Sequence, residues 1–186
     1  NFIQVWSGGA YWPLDPRPEE VDIKDIAHAL SLQCRFGGHV EQFYSVAEHC
    51  YHVSYAVPME HALSGLLHDA TEAYLVDIPS PIKRHLTNYL EIEAKNWRVI
   101  AAKYSTPEEL PKEVKEADLA MLFAEKEVLL KPMALALEDW VGEGHSINPL
   151  PTPITVPFQF YSPSSAKYAF LSRFYELTHN EKEAYR

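Results

Sequence analysis

Across residues 22–130 the apolar side chains recur at three- and four-residue intervals, the period of helices that bury one face. Ile23, Ile26, Ala27 and Leu30 follow Asp22 as an N-cap, with Asp25 in the first turn, and predict a helix that Gly37-Gly38 stops near Phe36. Ser45 with Glu48 three residues on reads as a capping box that opens a helix over 46–56, ended by Pro58. Leu63, Leu66, Leu67 and Ala70 predict a single buried helix over 60–75, which stops before Asp77-Ile78-Pro79-Ser80-Pro81. A more polar helix is expected from Thr87 or Asn88 to Lys103. Thr106-Pro107-Glu108-Glu109 combines an N-cap, a proline at the first helical position and first-turn acids. A further helix over 111–130 carries Ala117, Leu119, Ala120, Leu122 and Phe123 around Asp118.

Two stretches break this period. Residues 1–20 place Trp6, Tyr11 and Trp12 around Gly8-Gly9, ahead of Pro13, Pro16 and Pro18, which predicts a short hairpin and a Pro-rich lead-in. Residues 142–163 hold Pro149, Pro151, Pro153, Pro157 and Pro163, too many for a helix interior, so an extended crossing segment is expected, with room for a short strand over 154–160. Ser164 or Ser165 then caps a last helix to about His179. The fold class expected is all-α: one compact domain over 1–186, with five to seven helices, a short N-terminal hairpin and a Pro-rich crossing segment.

Charge narrows the partners. Lysine and arginine number 16 against 26 acids, so the chain carries a net −10 and lacks the broad cationic surface that polynucleotides need. A nucleotide remains compatible with it. Cys34 and Cys50 sit beside apolar residues and read as reduced, buried thiols, which with the lack of a signal peptide or an 18-residue apolar run gives a cytoplasmic expectation and no membrane partner.

The chemistry concentrates in Leu66-Leu67-His68-Asp69-Ala70-Thr71-Glu72, an otherwise apolar helix carrying three ionisable groups. A buried carboxylate without a partner is unfavourable by several kcal/mol, so a cation or hydrogen-bond partners must compensate. Glu72 stands four residues after His68 and three after Asp69, on one side of the expected helix. His49 and Asp118, in helical and apolar contexts elsewhere, are candidates to complete the set. Two imidazoles and two carboxylates form a mixed nitrogen and oxygen donor set suited to zinc, manganese, iron, cobalt or nickel.

A histidine in one helix, His-Asp in a second and Asp in a third, here His49, His68-Asp69 and Asp118 in that order, resembles the signature of the HD-domain phosphohydrolases. Cys34-Arg35-Phe36-Gly37-Gly38-His39, Phe43-Tyr44-Ser45-Val46-Ala47-Glu48-His49, His68-Asp69-Ala70-Thr71-Glu72 and the run from Asp77 to Lys83 look like segments of the HD 5′-deoxynucleotidases and of the phage-encoded dATP triphosphohydrolases. The resemblance covers roughly residues 22–125, and only 19 positions separate His49 from His68, a compact spacing closer to the phage group.

It implies that His49, His68, Asp69 and Asp118 bind a divalent metal (Zn, Co or Mn, with Mg on the substrate phosphates) and that Glu72 handles the attacking water. It also implies that Asp77 contacts the deoxyribose and shares in catalysis, that Arg35 and Lys83 meet the phosphates, and that the enzyme forms a dimer or hexameric ring. Phe36, beside Arg35, is placed to stack on a base.

The function this implies is dATP hydrolysis to deoxyadenosine and triphosphate, with a 5′-deoxynucleotidase acting on monophosphates as the alternative. A phosphodiesterase for cyclic or signalling nucleotides is disfavoured by the lack of a second histidine cluster; a non-catalytic nucleotide-sensing module is disfavoured by the intact Glu72. His52 fits an orienting or core role, and His39 either reaches a phosphate or is an ordinary loop histidine. His28, His61, His85, His145 and His179 read as surface or structural, and the capping box accounts for Glu48. Trp6 and Trp12 read as covering a core edge or an oligomer contact.

Overall fold

The computed structural model describes residues 1–133 and 150–178. Part of the expected crossing segment and the roles expected of His145 and His179 lie outside these residues. The hairpin is present: β1 (Ile3–Gln4) pairs antiparallel with β2 (Ala10–Tyr11), and Gly8 takes the turn at φ +90, a conformation open to glycine without strain. Everything else of regular structure among the described residues is helical, so the protein is an all-α bundle with a short N-terminal hairpin.

Helix α1 (Ile23–Leu32) starts as expected, with the Asp22 side chain accepting from the Lys24 N–H at 2.7 Å. It ends four residues before Phe36. Tertiary pairing overrides the helical pattern: Cys34 bridges Ser45, and the Arg35 N–H donates to Tyr44 O at 2.9 Å. The chain then turns tightly through Phe36 and Gly37, both at positive φ. Ser45 caps α2 (Val46–Ala56) by accepting from the Glu48 N–H, yet the capping box is only half made. The fully buried Glu48 carboxylate accepts instead from the N–H groups of Gln159, Phe160 and Tyr161, at 2.8–3.1 Å, and so anchors the crossing segment to α2.

The single helix expected over 60–75 is two. After a short turn at Met59–His61, α3 (Ala62–Leu67) stops before His68, and α4 (Glu72–Leu75) begins four residues later. Between them the amides of Ala70, Glu72 and Ala73 bond three residues back rather than four, a tightening of the backbone that hydrophobic spacing does not encode. Gly65 lets α3 approach α2 closely, since a Cβ there would stand 3.3 Å from both Ser54 Cα and Val53 O. Beyond lie α5 (Ser80–Lys83), α6 (Thr87–Tyr104) and α7 (Lys112–Leu129). Thr106-Pro107-Glu108-Glu109 opens no helix; Glu108 O accepts the Trp97 indole N–H at 2.6 Å, and α7 starts after Pro111. The described part of the crossing segment, 150–162, forms neither helix nor a strand at 154–160, and Phe160 takes a positive φ of 51. The last helix, α8 (Pro163–Leu177), is capped by Ser162 rather than Ser164 or Ser165, with Pro163 in its first turn.

One core cluster joins α1, α2, α3, α4 and α8 through Ile26, Leu30, Cys50, Leu66, Tyr74 and Phe170. A smaller one packs Val53 of α2 against Ala117 and Met121 of α7. The functional side chains hang on α2, the α3–α4 turn and α7, which these clusters hold together. Phe170 is 0% exposed, so Phe170→Ala is expected to destabilise the fold by about 3–5 kcal/mol in urea unfolding. No helix among the described residues is long and apolar enough to cross a membrane. Both cysteines are free; Cys50 is buried and Cys34 half-buried, in the Ser45 bridge rather than in a helix.

Candidate metal centre

Four side chains expected to bind a metal meet where α2, the α3–α4 turn and α7 converge. His49 Nε2 lies 3.0 Å from Asp118 Oδ1, 3.2 Å from His68 Nε2 and 3.7 Å from Asp69 Oδ2. His68 Nε2 lies 3.2 Å from Asp69 Oδ2 and 3.7 Å from Asp118 Oδ1. Adjacent donors each about 2.1 Å from one ion stand roughly 3.0–3.4 Å apart; three of these separations fall in that range, and the two at 3.7 Å fit one coordination sphere with a wider angle at the ion. The residues group into two sets of ligand atoms that could hold an ion, His49 with His68 and Asp118, and Cys50 with His68 and Asp69.

The outer nitrogens fix the inner ones. His49 Nδ1 is 2.6 Å from Glu125 Oε1, and His68 Nδ1 is 2.8 Å from Gly65 O. With each Nδ1–H donating outward, loss of the proton shared at Nε2 would leave its lone pair pointing at the common centre, the arrangement that orients histidine ligands. Glu125 is fully buried and also accepts from Arg35 Nε at 3.2 Å and Nη2 at 2.8 Å. Burial alone would raise the Glu125 carboxyl, but Arg35 and His49 hold it below the usual range. Sequence reasoning missed this residue. Its signal was its place seven residues after Asp118, two turns along the same face of α7. Glu125→Gln is expected to keep the fold and weaken metal binding by about 10–100-fold, read as a dissociation constant by calorimetry.

The electrostatics suit a cation. Burial opposes ionisation of Asp69, yet His68 beside it holds its pKa down to about 2. Asp118, at the mouth with 44% of its side chain exposed, is likewise held well below the carboxylate range against burial by hydrogen bonds from His49 and His68. In this state burial lowers both imidazoles, yet both are held above their usual pKa, His49 by Glu125 and Asp118 in spite of the Arg35 charge, and His68 chiefly by Asp69 and Asp118. A metal ion would take the place of the protons that the cluster shares.

Glu72 is buried, and its Oε2 has no hydrogen-bond partner among the described residues. Its pKa is pushed up to about 9, first by burial and then by the charges of Asp69 and Asp77. Asp77 follows Val76, whose φ of 69 is strained for a β-branched residue. Three bonds hold that turn: Val76 N–H to Glu72 O at 2.9 Å, Tyr89 O–H to Val76 O at 3.0 Å and Asp77 N–H to Gln33 Oε1 at 3.0 Å. Gln33 also donates to Glu72 O at 3.0 Å, a brace between distant segments for which the sequence offers no signal. Burial raises the Asp77 pKa, and Asp77 senses Arg35, Asp69 and His49.

The cations expected at the phosphates are already engaged. Arg35 is bound to Glu125 with its Nη1 3.9 Å from Asp69, and its guanidinium lies 5.4 Å from the Phe36 ring. Lys83 Nζ is 2.6 Å from Glu93. His52 is buried and stacks on Tyr44, and His39 is exposed on its turn. Trp6 is more than half exposed, stacked on His28 beneath Lys167.

No family model matches the chain. Over 126 residues it is 45% identical to the uncharacterized protein YfdR of Escherichia coli, which covers 68% of this chain and 71% of that protein. The chain belongs to the YfdR family. A second relative, an uncharacterized protein of Rhodobacter capsulatus, is 32% identical over 114 residues, 56% of this chain and 58% of its own length. The candidate metal site, His49 with His68 and Asp118 and Cys50 with His68 and Asp69, is thus a feature of a YfdR-family chain.

Proposed function

We propose that this chain is a metal-dependent phosphohydrolase of the HD type that cleaves the 5′ phosphoester of a deoxynucleotide. One observation carries the reading: His49, His68, Asp69 and Asp118 converge with both Nε2 atoms turned inward, beside a buried Glu72 whose Oε2 has no partner among the described residues. Structural clusters satisfy their polar atoms, and an orphaned carboxylate oxygen beside a donor set is what a working site leaves. The donors suit Zn²⁺, Co²⁺ or Mn²⁺, with Mg²⁺ on the substrate phosphates. When bound, such an ion would bring the pKa of a coordinated water towards neutrality and neutralise phosphate oxygens.

Glu72, ionised when a bound ion offsets the negative charge of Asp69 beside it, accepts the proton of the attacking water and then returns it to the 5′ oxygen that leaves; burial favours the protonated form that makes this second transfer. Asp77, fixed by the strained Val76 turn, reads the sugar where a 2′-hydroxyl would crowd it. Arg35 sets Glu125, and through it His49, while keeping one edge towards Asp69 and the substrate phosphate. Phe36 offers a ring for the base.

The first substrate proposed is dATP, cleaved in one step to deoxyadenosine and triphosphate. A second reading, a 5′-deoxynucleotidase acting on monophosphates, is favoured by the pairing of Lys83 with Glu93 and of Arg35 with Glu125, which leaves little free cation for a polyphosphate tail. The test is a panel of dATP, ATP, dAMP and AMP with Mn²⁺, Co²⁺ and Zn²⁺, with early products separated. Deoxynucleotides are expected to react faster than ribonucleotides, and dATP to give triphosphate without dADP. Orthophosphate or dADP as the first product excludes the triphosphohydrolase, and exclusive use of dAMP selects the second reading. No hydrolysis of any nucleotide by metal-loaded protein leaves only a non-catalytic nucleotide-sensing module.

A further inference from the structure

Two sets of ligand atoms meet at His68. His49, His68 and Asp118 form one; Cys50, His68 and Asp69 form the other, with the atoms of each set within 4.8 Å of one another. His68 has a single nitrogen to offer, because Nδ1 is bonded to Gly65 O. The two sets therefore cannot be filled by two ions at once through His68 Nε2. Cys50 is a free thiol, 0% exposed, one residue after His49 on α2, and it reaches the His68–Asp69 corner from the core side, among Val46, Ala47, Leu66 and Leu67.

We propose that Cys50 gives this centre a second, thiolate-bearing position in which Cys50 Sγ, His68 Nε2 and an Asp69 oxygen take up a thiophilic divalent ion. The inference rests on the metal-centre reading above and goes beyond it by assigning the sulfur. A thiolate, an imidazole and a carboxylate form a softer set than two imidazoles and two carboxylates, and softness decides which ions a site prefers. Bonds of about 2.3 Å to sulfur and 2.1 Å to nitrogen put adjacent donors within roughly 4 Å, so three atoms within 4.8 Å of one another need to draw together by less than about 1 Å around an ion. The thiol proton leaves to solvent as the bond forms. An ion drawn to Cys50 takes His68 and Asp69 away from the harder ion held with His49 and Asp118, so thiophilic ions should antagonise Mn²⁺ rather than add to it.

The experiment is a titration of the metal-free full chain, as wild type, Cys50→Ser, Cys50→Ala and Cys34→Ser, with Cd²⁺. The readout is sulfur-to-cadmium charge-transfer absorption in the ultraviolet, with Mn²⁺ binding followed in parallel by electron paramagnetic resonance. The wild type and Cys34→Ser are expected to give a band that saturates at one Cd²⁺ per chain, and Cd²⁺ to displace Mn²⁺. Both Cys50 variants should lose the band while binding Mn²⁺ as the wild type does, which also shows that they fold. A wild type that binds Cd²⁺ without the band, or a band retained in both Cys50 variants, overturns the assignment and leaves the metal centre intact. A wild type that binds neither ion overturns the metal centre itself, and the sulfur position with it.

Discussion

Asp69→Ala is expected to remove the metal ion and the hydrolysis together. Asp69 stands in the α3–α4 turn with Oδ2 within 3.2 Å of His68 Nε2 and 3.7 Å of His49 Nε2. It is ionised, held down to about 2 by His68 in spite of burial. Alanine removes one of the two negative donors and leaves two imidazoles and a half-exposed Asp118, a three-donor set of lower charge that should release the ion at low metal concentration. An ion that stabilises phosphate charge contributes several kcal/mol to the transition state, so turnover should fall on the order of 10³-fold or more. Metal content by mass spectrometry and initial rates check the two halves separately. A metal-replete Asp69→Ala protein would remove Asp69 from the ligand set.

Glu72→Gln should part the two properties that Asp69→Ala removes together. The amide keeps the shape and cannot accept a proton, so the ion stays and turnover falls on the order of 10²-fold or more. Loss of the ion instead would make Glu72 a ligand. The same variant has a stability signature in the metal-free protein. The Glu72 pKa is raised in the fold from 4.5 to about 9, chiefly by burial, so the folded state binds its proton more tightly than the unfolded chain does. Its contribution is therefore lost as pH rises across that window, and below it both states are protonated and nothing is lost. Glu72→Gln should unfold at higher urea than the wild type near roughly pH 8, with the difference vanishing near roughly pH 4. Parallel unfolding midpoints for the two proteins over the range would contradict the buried, unpaired carboxyl.

The helical bundle and its hairpin were legible because burial of one face imposes a period that sequence displays, and the caps at Asp22 and Ser45 mark starts by hydrogen bonds local in the chain. What escaped depends on distant partners. Helix α1 ends early because Cys34 and Arg35 pair with Ser45 and Tyr44, and Glu48 turns from its capping role to three amides more than 110 residues away. The break at His68–Thr71 is a change in backbone bonding within an unbroken apolar pattern. At the site, His49, His68, Asp69 and Asp118 stood out as ionisable groups in apolar surroundings, and the fold brings them together. Arg35 and Lys83 were legible only as cations; their partners Glu125 and Glu93 come from other helices. Gln33 is a neutral amide with no pattern around it, and only the fold reveals that it braces Glu72 and Asp77.

Every functional step above depends on a single ion between α2, the α3–α4 turn and α7. The direct measurement is an anomalous-difference map from crystals of the full chain loaded with Mn²⁺. The expected result is one peak per chain, bonded at about 2.1 Å to His49 Nε2, His68 Nε2, Asp69 and Asp118. No peak at saturating Mn²⁺, or a peak held by other residues, would contradict the metal centre and the hydrolase built on it.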